Sequence, residues 1–425
     1  MDWNIDTRCV QEGYSPKSGE ARVVPICQST TFRYETAEAM GALFDLEAEG
    51  FFYTRLGNPT SDAVEKKVAS LEGGVAAMMT SSGMAASLLS VLNITNAGDH
   101  IVSASALYGG TFNLFKNTLS KLGIDATFVD PDCDEETLKN AFRENTTCVF
   151  GETLSNPSLA VLDIELFARQ AHEHHVPLIV DNTFPTPIHC QPIKHGADIV
   201  VHSTSKYMDG HAVSLGGMII DSGNFDWHSG NYPGLTEPDE SYHGLVYTEQ
   251  FGKAAFIARA RTQLMRDFGP APSPFNAFLL DLGLDTLSLR MAKHFSNALT
   301  IAKELEKDDR IAWISFPELE GDRYHELAKK YMPDGSCGVI AMGIRGGREK
   351  ASAFQSHLKL AAIATHVADV RTCILHPASA THRQMNDQQL IEAGVKPEMV
   401  RFSVGIEDPA DILADIKQAL DKSFS

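Results

Sequence analysis

The sequence predicts an α/β fold, a mainly parallel sheet with helices on both faces, followed by a smaller α+β domain. Three observations carry the prediction. Short apolar runs recur at His100-Ile-Val-Ser103, Ala126-Thr-Phe-Val129, Thr147-Cys-Val-Phe150, Pro177-Leu-Ile-Val180 and Asp198-Ile-Val-Val201. Helical stretches such as Asp62 to Leu71 and Ile164 to Glu173 alternate with such runs, as parallel strands require, because a parallel pair needs a crossover connection. The runs are continuous rather than alternating, the pattern of strands covered on both faces.

The elements follow in order. Residues 1–60 hold few periodic segments and carry turn signals at Ser15-Pro16 and Leu56-Gly-Asn-Pro59, so an extended arm is expected there. Residues 61–260 form the α/β domain. Near Phe251 the pattern turns helical and continues through Phe275-Asn-Ala-Phe-Leu-Leu280 and the amphipathic run Leu289 to Leu305. Strands are expected at Ile311-Ala-Trp-Ile-Ser315, Gly338-Val-Ile-Ala-Met342 and Val400-Arg-Phe-Ser-Val404, and a final helix at Ala410 to Leu420. These make residues 261–425 the smaller α+β domain. No repeat or low-complexity segment interrupts the chain.

Composition narrows the function classes. The chain has 425 residues, 43% apolar and 21% charged, with a net charge of -19. That is an ordinary globular composition, with no basic surplus to neutralise phosphates, so nucleic acid is not an expected partner. No apolar run reaches the ~20 residues of a membrane helix, and Met1-Asp-Trp-Asn-Ile-Asp6 does not resemble a signal peptide. A cytoplasmic protein is expected. The seven cysteines lack Cys-x-x-Cys spacing and read as reduced thiols rather than disulfides or a zinc site. His172, His174 and His175 sit at a helix end, where a solvated face is preferred to a metal site.

Two strands end on chemistry. Pro177-Leu-Ile-Val180 runs into Asp181, and Asp198-Ile-Val-Val201 runs into His202-Ser-Thr-Ser-Lys206. An amine of depressed pKa, such as Lys206, can condense with an aldehyde. A carboxylate such as Asp181 can keep a pyridine nitrogen protonated, so that the ring draws electrons from a bound amino acid. Alone, Asp181 reads as a turn cap and Lys206 as a solvated lysine. Together at successive strand ends, where ligands of α/β proteins collect, they point to pyridoxal phosphate.

Other residues fit the same ligand. Thr80-Ser-Ser-Gly-Met-Ala85 opens a helix, and the Gly83 and Met84 amides with the Ser203 and Ser205 hydroxyls would cup a phosphate. By itself such a helix start is more often a plain cap. Tyr108, beside Gly109 and Gly110, can stack on a flat ring, although a tyrosine in a tight turn accounts for it equally well. Tyr53 and Arg55 in the arm suit a second grip on phosphate. Arg401 lies in an otherwise apolar strand and should meet an anion. A substrate α-carboxylate is the preferred partner, and a structural salt bridge the competing one.

Taken together, the sequence resembles the Cys/Met-metabolism family of pyridoxal-phosphate enzymes, within the fold-type I aspartate-aminotransferase-like superfamily. The resemblance runs from Pro25-Ile-Cys-Gln-Ser-Thr-Thr-Phe32 through Tyr53-Thr-Arg-Leu-Gly-Asn-Pro-Thr60 and His202-Ser-Thr-Ser-Lys-Tyr207 to His376-Pro-Ala-Ser379 and Val400-Arg-Phe-Ser-Val-Gly-Ile-Glu407. It implies that Lys206 binds the cofactor aldehyde, Asp181 its ring nitrogen, and Tyr108 its face. Gly83, Met84, Ser203 and Ser205 are implied to hold the phosphate, with Thr183 a further cofactor contact. Tyr53 and Arg55 match residues that reach a neighbouring subunit's cofactor, which implies a dimer at least and commonly a tetramer, a dimer of dimers. Arg401 matches the clamp for the substrate carboxylate, with Asn156 and His366 beside it.

Within that family, Gly223-Asn-Phe-Asp-Trp227, Ser241-Tyr-His-Gly244 and Ser273-Pro-Phe-Asn-Ala-Phe278 resemble the O-acetylhomoserine sulfhydrylase branch. Its reaction makes homocysteine and acetate from O-acetylhomoserine and sulfide or a thiol. Lys206 is then implied to move the Cα proton, with Tyr108 assisting at the γ-substituent. The alternative is a methionine or homocysteine γ-lyase, which shares every cofactor residue. Its stacking motif carries cysteine where this chain has Gly110. Two positions depart from the sulfhydrylase pattern: Ala212 where Gly-His-Gly is usual, and His366 where Asn precedes Val-Gly-Asp. A nicotinamide dehydrogenase is disfavoured because no Gly-x-Gly-x-x-Gly follows the first strand, and a non-catalytic binding protein because the catalytic groups are all present.

Overall fold

The structure, a computed structural model, describes residues 3–380, 383 and 395–425. The first sheet holds seven strands: β1 (Ala76–Thr80), β2 (His100–Ala104), β3 (Asp125–Val129), β4 (Thr146–Glu152), β5 (Leu178–Asp181), β6 (Ile199–His202) and β7 (Gly217–Asp221). Their order across the sheet is β1-β7-β6-β5-β4-β2-β3. Neighbours from β6 to β3 run parallel, whereas β7 runs against both β6 and β1. All five strands expected in this part are present. β1 and β7 are additions, and β1 has a physical reason for escaping notice. Its sequence Ala-Ala-Met-Met-Thr favours helix, and it is held as a strand by pairing along its whole length with β7.

Both faces of this sheet are covered. Val149, Leu178, Val180 and Val200 turn to one side, against Ile164 and Phe167 of the helix Ile164–Glu173. Cys148, Phe150, Ile179, Ile199 and Val201 turn to the other, against Leu89 and Phe256. Each of these strand side chains is fully buried, and burying one aliphatic side chain contributes ~1.5–3 kcal/mol. The two-residue alternation of a strand thus feeds two separate cores from one continuous apolar run.

The second sheet comprises β8 (Ile311–Ser315), β9 (Val339–Ile344), β10 (Ala362–Ile363), β11 (Cys373–Leu375) and β12 (Met399–Ser403), in the order β10-β11-β12-β9-β8. On one face Ile340, Met342, Val400 and Phe402 pack with Ile301 of the helix Leu287–Leu305 and with Ile412, Ile416 and Leu420 of the final helix, Pro409–Phe424. On the other face Val339 and Ala341 join the core of the first sheet. Arg401 pairs in register with Ala341, so alternation puts it on this inner face. The very short β10 and β11 were not expected from sequence.

Residues 1–60, expected to be extended, contain two short helices, Ile5–Gln11 and Ala37–Phe44. Tyr53 makes an isolated bridge to Thr31. The turn at Leu56-Gly-Asn-Pro59 launches the helix Pro59–Glu72: Asn58 accepts from Thr60 N at 3.0 Å and proline occupies the first turn, where no amide partner is lost.

Candidate active site

The parallel register aligns three strand ends. Glu152 at the tip of β4 is paired with Asp181 at the tip of β5, and Asp181 with Val201 of β6. Thr183 ties these ends together. Its backbone N–H and hydroxyl donate to Asp181 Oδ1 at 3.0 and 2.5 Å, and its Oγ1 accepts from Ser203 N at 2.8 Å. Burial raises the Asp181 carboxyl above its usual range, against the Thr183 hydrogen bonds and the nearby His202, which lower it. A cation delivered to Asp181 would offset that burial cost.

Glu152 is a functional group that the sequence reading missed. It is 6% exposed, and its two oxygens accept from Tyr108 N at 2.6 Å and Asn156 N at 3.2 Å. Burial and then the charge of Asp181 push its carboxyl well above the ordinary value. Burial raises both adjacent acids, so the pair resists carrying two full charges. The available signal was the one used for Asp181, a carboxylate ending an apolar strand. The Glu152 contact turns Tyr108 outward with half its surface free. Gly110 lies under the tyrosine ring, where a Cβ would stand 2.5 Å from Cε1.

Across from Tyr108 and Asp181, the helix Gly83–Leu92 begins with Ser82 as its cap, accepting from Ala85 N at 3.2 Å. The Gly83 and Met84 amides belong to the unpaired first turn. Gly83 touches Ser203 so closely that a Cβ would meet Ser203 Cβ at 2.6 Å, so only glycine lets this helix end approach the turn before Lys206. Ser205 is less open than expected: its hydroxyl accepts from Gly216 N at 2.9 Å and donates to Gly216 O at 3.2 Å.

Lys206 extends from this turn toward the second sheet. Burial, and then Arg401, lowers its pKa. Its Nζ stands 3.5 Å from His366 Nδ1. Arg401, 6% exposed, donates from Nη1 to Asn156 Oδ1 at 3.0 Å and from Nη2 to the carbonyls of Thr365 and His366 at 3.2 and 3.1 Å. Its Nε is buried with no partner. Among the described residues no carboxylate forms an ion pair with it, so the competing salt bridge is not found there. A buried guanidinium held by neutral oxygens, with a donor left over, is a site for an incoming anion.

One departure from the family pattern, Ala212, and Ala368, two residues beyond the other departure, His366, share an unusual backbone. Ala212 has φ 58° and Ala368 φ 68°, both in the left-handed region that glycine adopts without strain. Their loops touch: Val370 N donates to Gly210 O at 2.8 Å and Arg371 Nη2 to His211 O at 3.0 Å. Tyr53 and Arg55 lie elsewhere. Arg55 stacks on Tyr53 at 5.1 Å and donates to the Arg266 carbonyl, and among the described contacts neither reaches Lys206, Asp181 or Tyr108. His172, expected to be solvated, is exposed and also bonds Asp198 at 2.8 Å.

An amine of lowered pKa, a neighbouring carboxylate, an exposed ring face and free helix-end amides fit an aromatic aldehyde bearing a phosphate. Comparison with known proteins agrees. The chain matches the Cys/Met metabolism PLP-dependent enzymes over residues 6–421. It is 46% identical over 409 residues to an O-acetyl-L-homoserine sulfhydrylase of Leptospira meyeri, covering 94% of this chain and 92% of that protein. It is 44% identical to a homocysteine synthase of Schizosaccharomyces pombe, covering 98% of each. A crystal structure from Campylobacter jejuni, assigned as an O-acetylhomoserine (thiol)-lyase and carrying a pyridoxyl-lysine phosphate, superposes with a TM-score of 0.94 at 35% identity, covering 99% of this chain and 100% of that one. The chain is an enzyme of fold-type I and belongs to the Cys/Met metabolism family of pyridoxal-phosphate-dependent enzymes.

Proposed function

We propose that the protein catalyses γ-replacement on O-acetyl-L-homoserine, with sulfide or a small thiol as nucleophile, releasing acetate and homocysteine or its thioether. The observation that carries the substrate class is Arg401, a buried cation without an ion-pair partner among the described residues, placed beside Lys206 as an amino-acid carboxylate requires. The relatives named as sulfhydrylases and homocysteine synthases support the choice of leaving group and nucleophile.

Lys206 would bind the cofactor, Asp181 with Thr183 would face its ring nitrogen, and Tyr108 its plane. Gly83, Met84, Ser203 and Ser205 would hold its phosphate. Bound pyridoxal phosphate supplies an aldehyde for the substrate amine and a ring that stabilises negative charge on adjacent carbons. The protein's part is then proton handling. Lys206, as the free amine, takes the Cα proton, while Arg401 and Asn156 fix the carboxylate so that this proton faces Nζ. Tyr108 lies free to serve the γ-substituent.

We assign residues 1–60 to an arm, 61–260 to the cofactor domain and 261–425 to the smaller domain. Tyr53 and Arg55, remote from their own Lys206 cluster, would serve a second subunit's site in a homotetramer. Val213, Leu215, Phe268 and Phe275 are each more than half exposed, and such apolar surface suits contact between copies. Seven unpaired cysteines suit the reducing cytoplasm.

The test compares products from O-acetylhomoserine plus sulfide with those from methionine alone. Homocysteine and acetate in the first mixture, with little 2-oxobutanoate in the second, are expected. Equal or faster keto-acid formation from methionine would replace this reading by a γ-lyase. Borohydride reduction of the holoenzyme should fix the cofactor to the peptide containing Lys206, and Lys206→Ala should lose both that label and turnover.

A further inference from the structure

We propose that His366 is a proton-holding catalytic partner of Lys206, with its Nδ1 3.5 Å from the lysine Nζ and Asp369 Oδ2 3.8 Å behind its Nε2. The inference rests on Lys206 being the amine of the reaction. Among the described residues no carboxylate pairs with Lys206, and His366 is the one hydrogen-bond partner of its side chain. A histidine is not the residue the family pattern leads one to expect here, since asparagine is usual, and an amide cannot hold a proton.

When Lys206 is the ammonium, Nδ1 offers it a lone pair, which leaves the hydrogen on Nε2, directed toward Asp369. At 3.8 Å that contact is an ion-pair distance, longer than a hydrogen bond, so Nε2 is buried without a hydrogen-bond partner. It becomes favourable when the ring is charged. The charged and titratable neighbours oppose one another. Lys206 and Arg401 disfavour the imidazolium, as does burial, while Asp369 and Asp209 favour it. The Cys373 thiol donates to the His366 carbonyl rather than to its ring, and Arg401 uses the same carbonyl. The ring is therefore neutral at rest and has an acid behind it that compensates a transient positive charge.

The step is a proton transfer with no redox partner. The Lys206 ammonium gives one proton to Nδ1: an Nζ–H bond breaks, an Nδ1–H bond forms, and the charge moves to the imidazolium beside Asp369. The amine left behind can take the substrate Cα proton; after it has handed that proton on to a later carbon centre it is an amine again and takes back the proton held on His366, restoring the ammonium and the neutral ring. This arrangement follows the logic by which an acid orients a histidine that serves a neighbouring reactive group.

His366→Asn is the test, since it keeps the polar volume and the backbone carbonyl on Arg401 but removes the proton site. General acid–base partners contribute roughly 100- to 10,000-fold. As Lys206 can also exchange with water, the expected loss in kcat is at or below the low end of that range, ~10- to 100-fold, with KM nearly unchanged. The acidic limb of the kcat profile should move to higher pH, and the pH midpoint of the holoenzyme's cofactor absorbance should shift with it. Imidazole should restore part of the rate to His366→Ala. Wild-type kcat and pH profile in His366→Asn overturn the proposal. A rate loss without a shifted profile or imidazole rescue also overturns it and leaves a packing role. Borohydride labelling of Lys206 in the same variants separates the two ideas: label retained with an unshifted profile ends only this inference, and label absent from the wild type ends the functional reading itself.

Discussion

Replacing Arg401 by methionine keeps the aliphatic stem and removes the guanidinium. Three of the five N–H groups of Arg401 are spent on Asn156, Thr365 and His366, so one or two charge-assisted bonds remain for a carboxylate. Each such bond is worth ~1.5–3 kcal/mol, and one or two together ~1.5–6 kcal/mol. With about 1.4 kcal/mol per factor of ten, kcat/KM for O-acetylhomoserine should fall roughly 10- to 20,000-fold. The fold should survive. The neutral oxygens lose their donor, at ~1–3 kcal/mol for each group left buried and unpaired, but an unpaired buried charge goes with it. The decisive assay is a ratio, the rate with O-acetylhomoserine over the rate with 3-acetoxypropylamine, which lacks the α-carboxylate. Wild type should discriminate by about the factor above, and Arg401→Met by almost nothing. A general loss of structure would lower both rates together and leave the ratio intact. Unchanged discrimination in the variant would therefore refute the carboxylate clamp.

Two further outcomes follow from buried acids. Burial and the Asp181 charge disfavour an ionised Glu152, so Glu152→Gln, which removes the charge and keeps one of the two acceptors for Tyr108 N and Asn156 N, should lose less activity and stability than Glu152→Ala. Glu152→Ala leaves the Tyr108 and Asn156 amides without an acceptor and should cost ~1–3 kcal/mol by denaturant titration together with a loss of rate. Asp221, at the end of β7, is pushed by burial to about 7, and its Oδ2 has no partner. Its folded pKa lies above the unfolded one, so its contribution is fully favourable below the unfolded pKa and is lost as pH rises through the folded value. Between about pH 4 and pH 7 the loss amounts to at most ~4 kcal/mol at 1.36 kcal/mol per unit. Asp221→Asn, which can still accept from Gly223 N, should unfold at the same temperature as wild type near pH 4 and at a higher one at pH 8. Identical melting at both pH values would show that Asp221 ionises freely in the fold.

The parts legible in the sequence were those with a local cause. Strands covered on both faces spell continuous apolar runs, so β2 to β6 were readable, and with them the positions of Asp181 and Lys206. β1 was not, because Ala-Ala-Met-Met-Thr is a strand only by virtue of its partner β7. The arm's two helices hid in segments too short to establish a period. Glu152 escaped because its task, holding two amides from different loops, is a property of strand register. Ser205 and His172 were identified by residue type, but what they touch depends on Gly216 and Asp198, which only the folded chain brings near.

What the fold adds to the named groups is their linkage across two sheets. Glu152 holds Tyr108 and Asn156; Asn156 accepts from Arg401; Arg401 grips the His366 carbonyl; and the His366 ring faces Lys206. From there the turn returns through Ser203 and Thr183 to Asp181, the strand neighbour of Glu152. The contacts form a closed ring around the space where Tyr108 and Lys206 project. In such a ring no member sits where it does for its own sake, and single substitutions measure the displacement of neighbours as well as the loss of one group. Ala212 and Ala368 fit the same logic. Left-handed backbone at a non-glycine residue costs ~1–2 kcal/mol, and it persists only where surrounding contacts over-determine it. Here those contacts are the ones joining the Lys206 loop to the His366 loop, Val370 to Gly210 and Arg371 to His211. The strain therefore sits on the seam between the loop that carries Lys206 and the loop that carries His366.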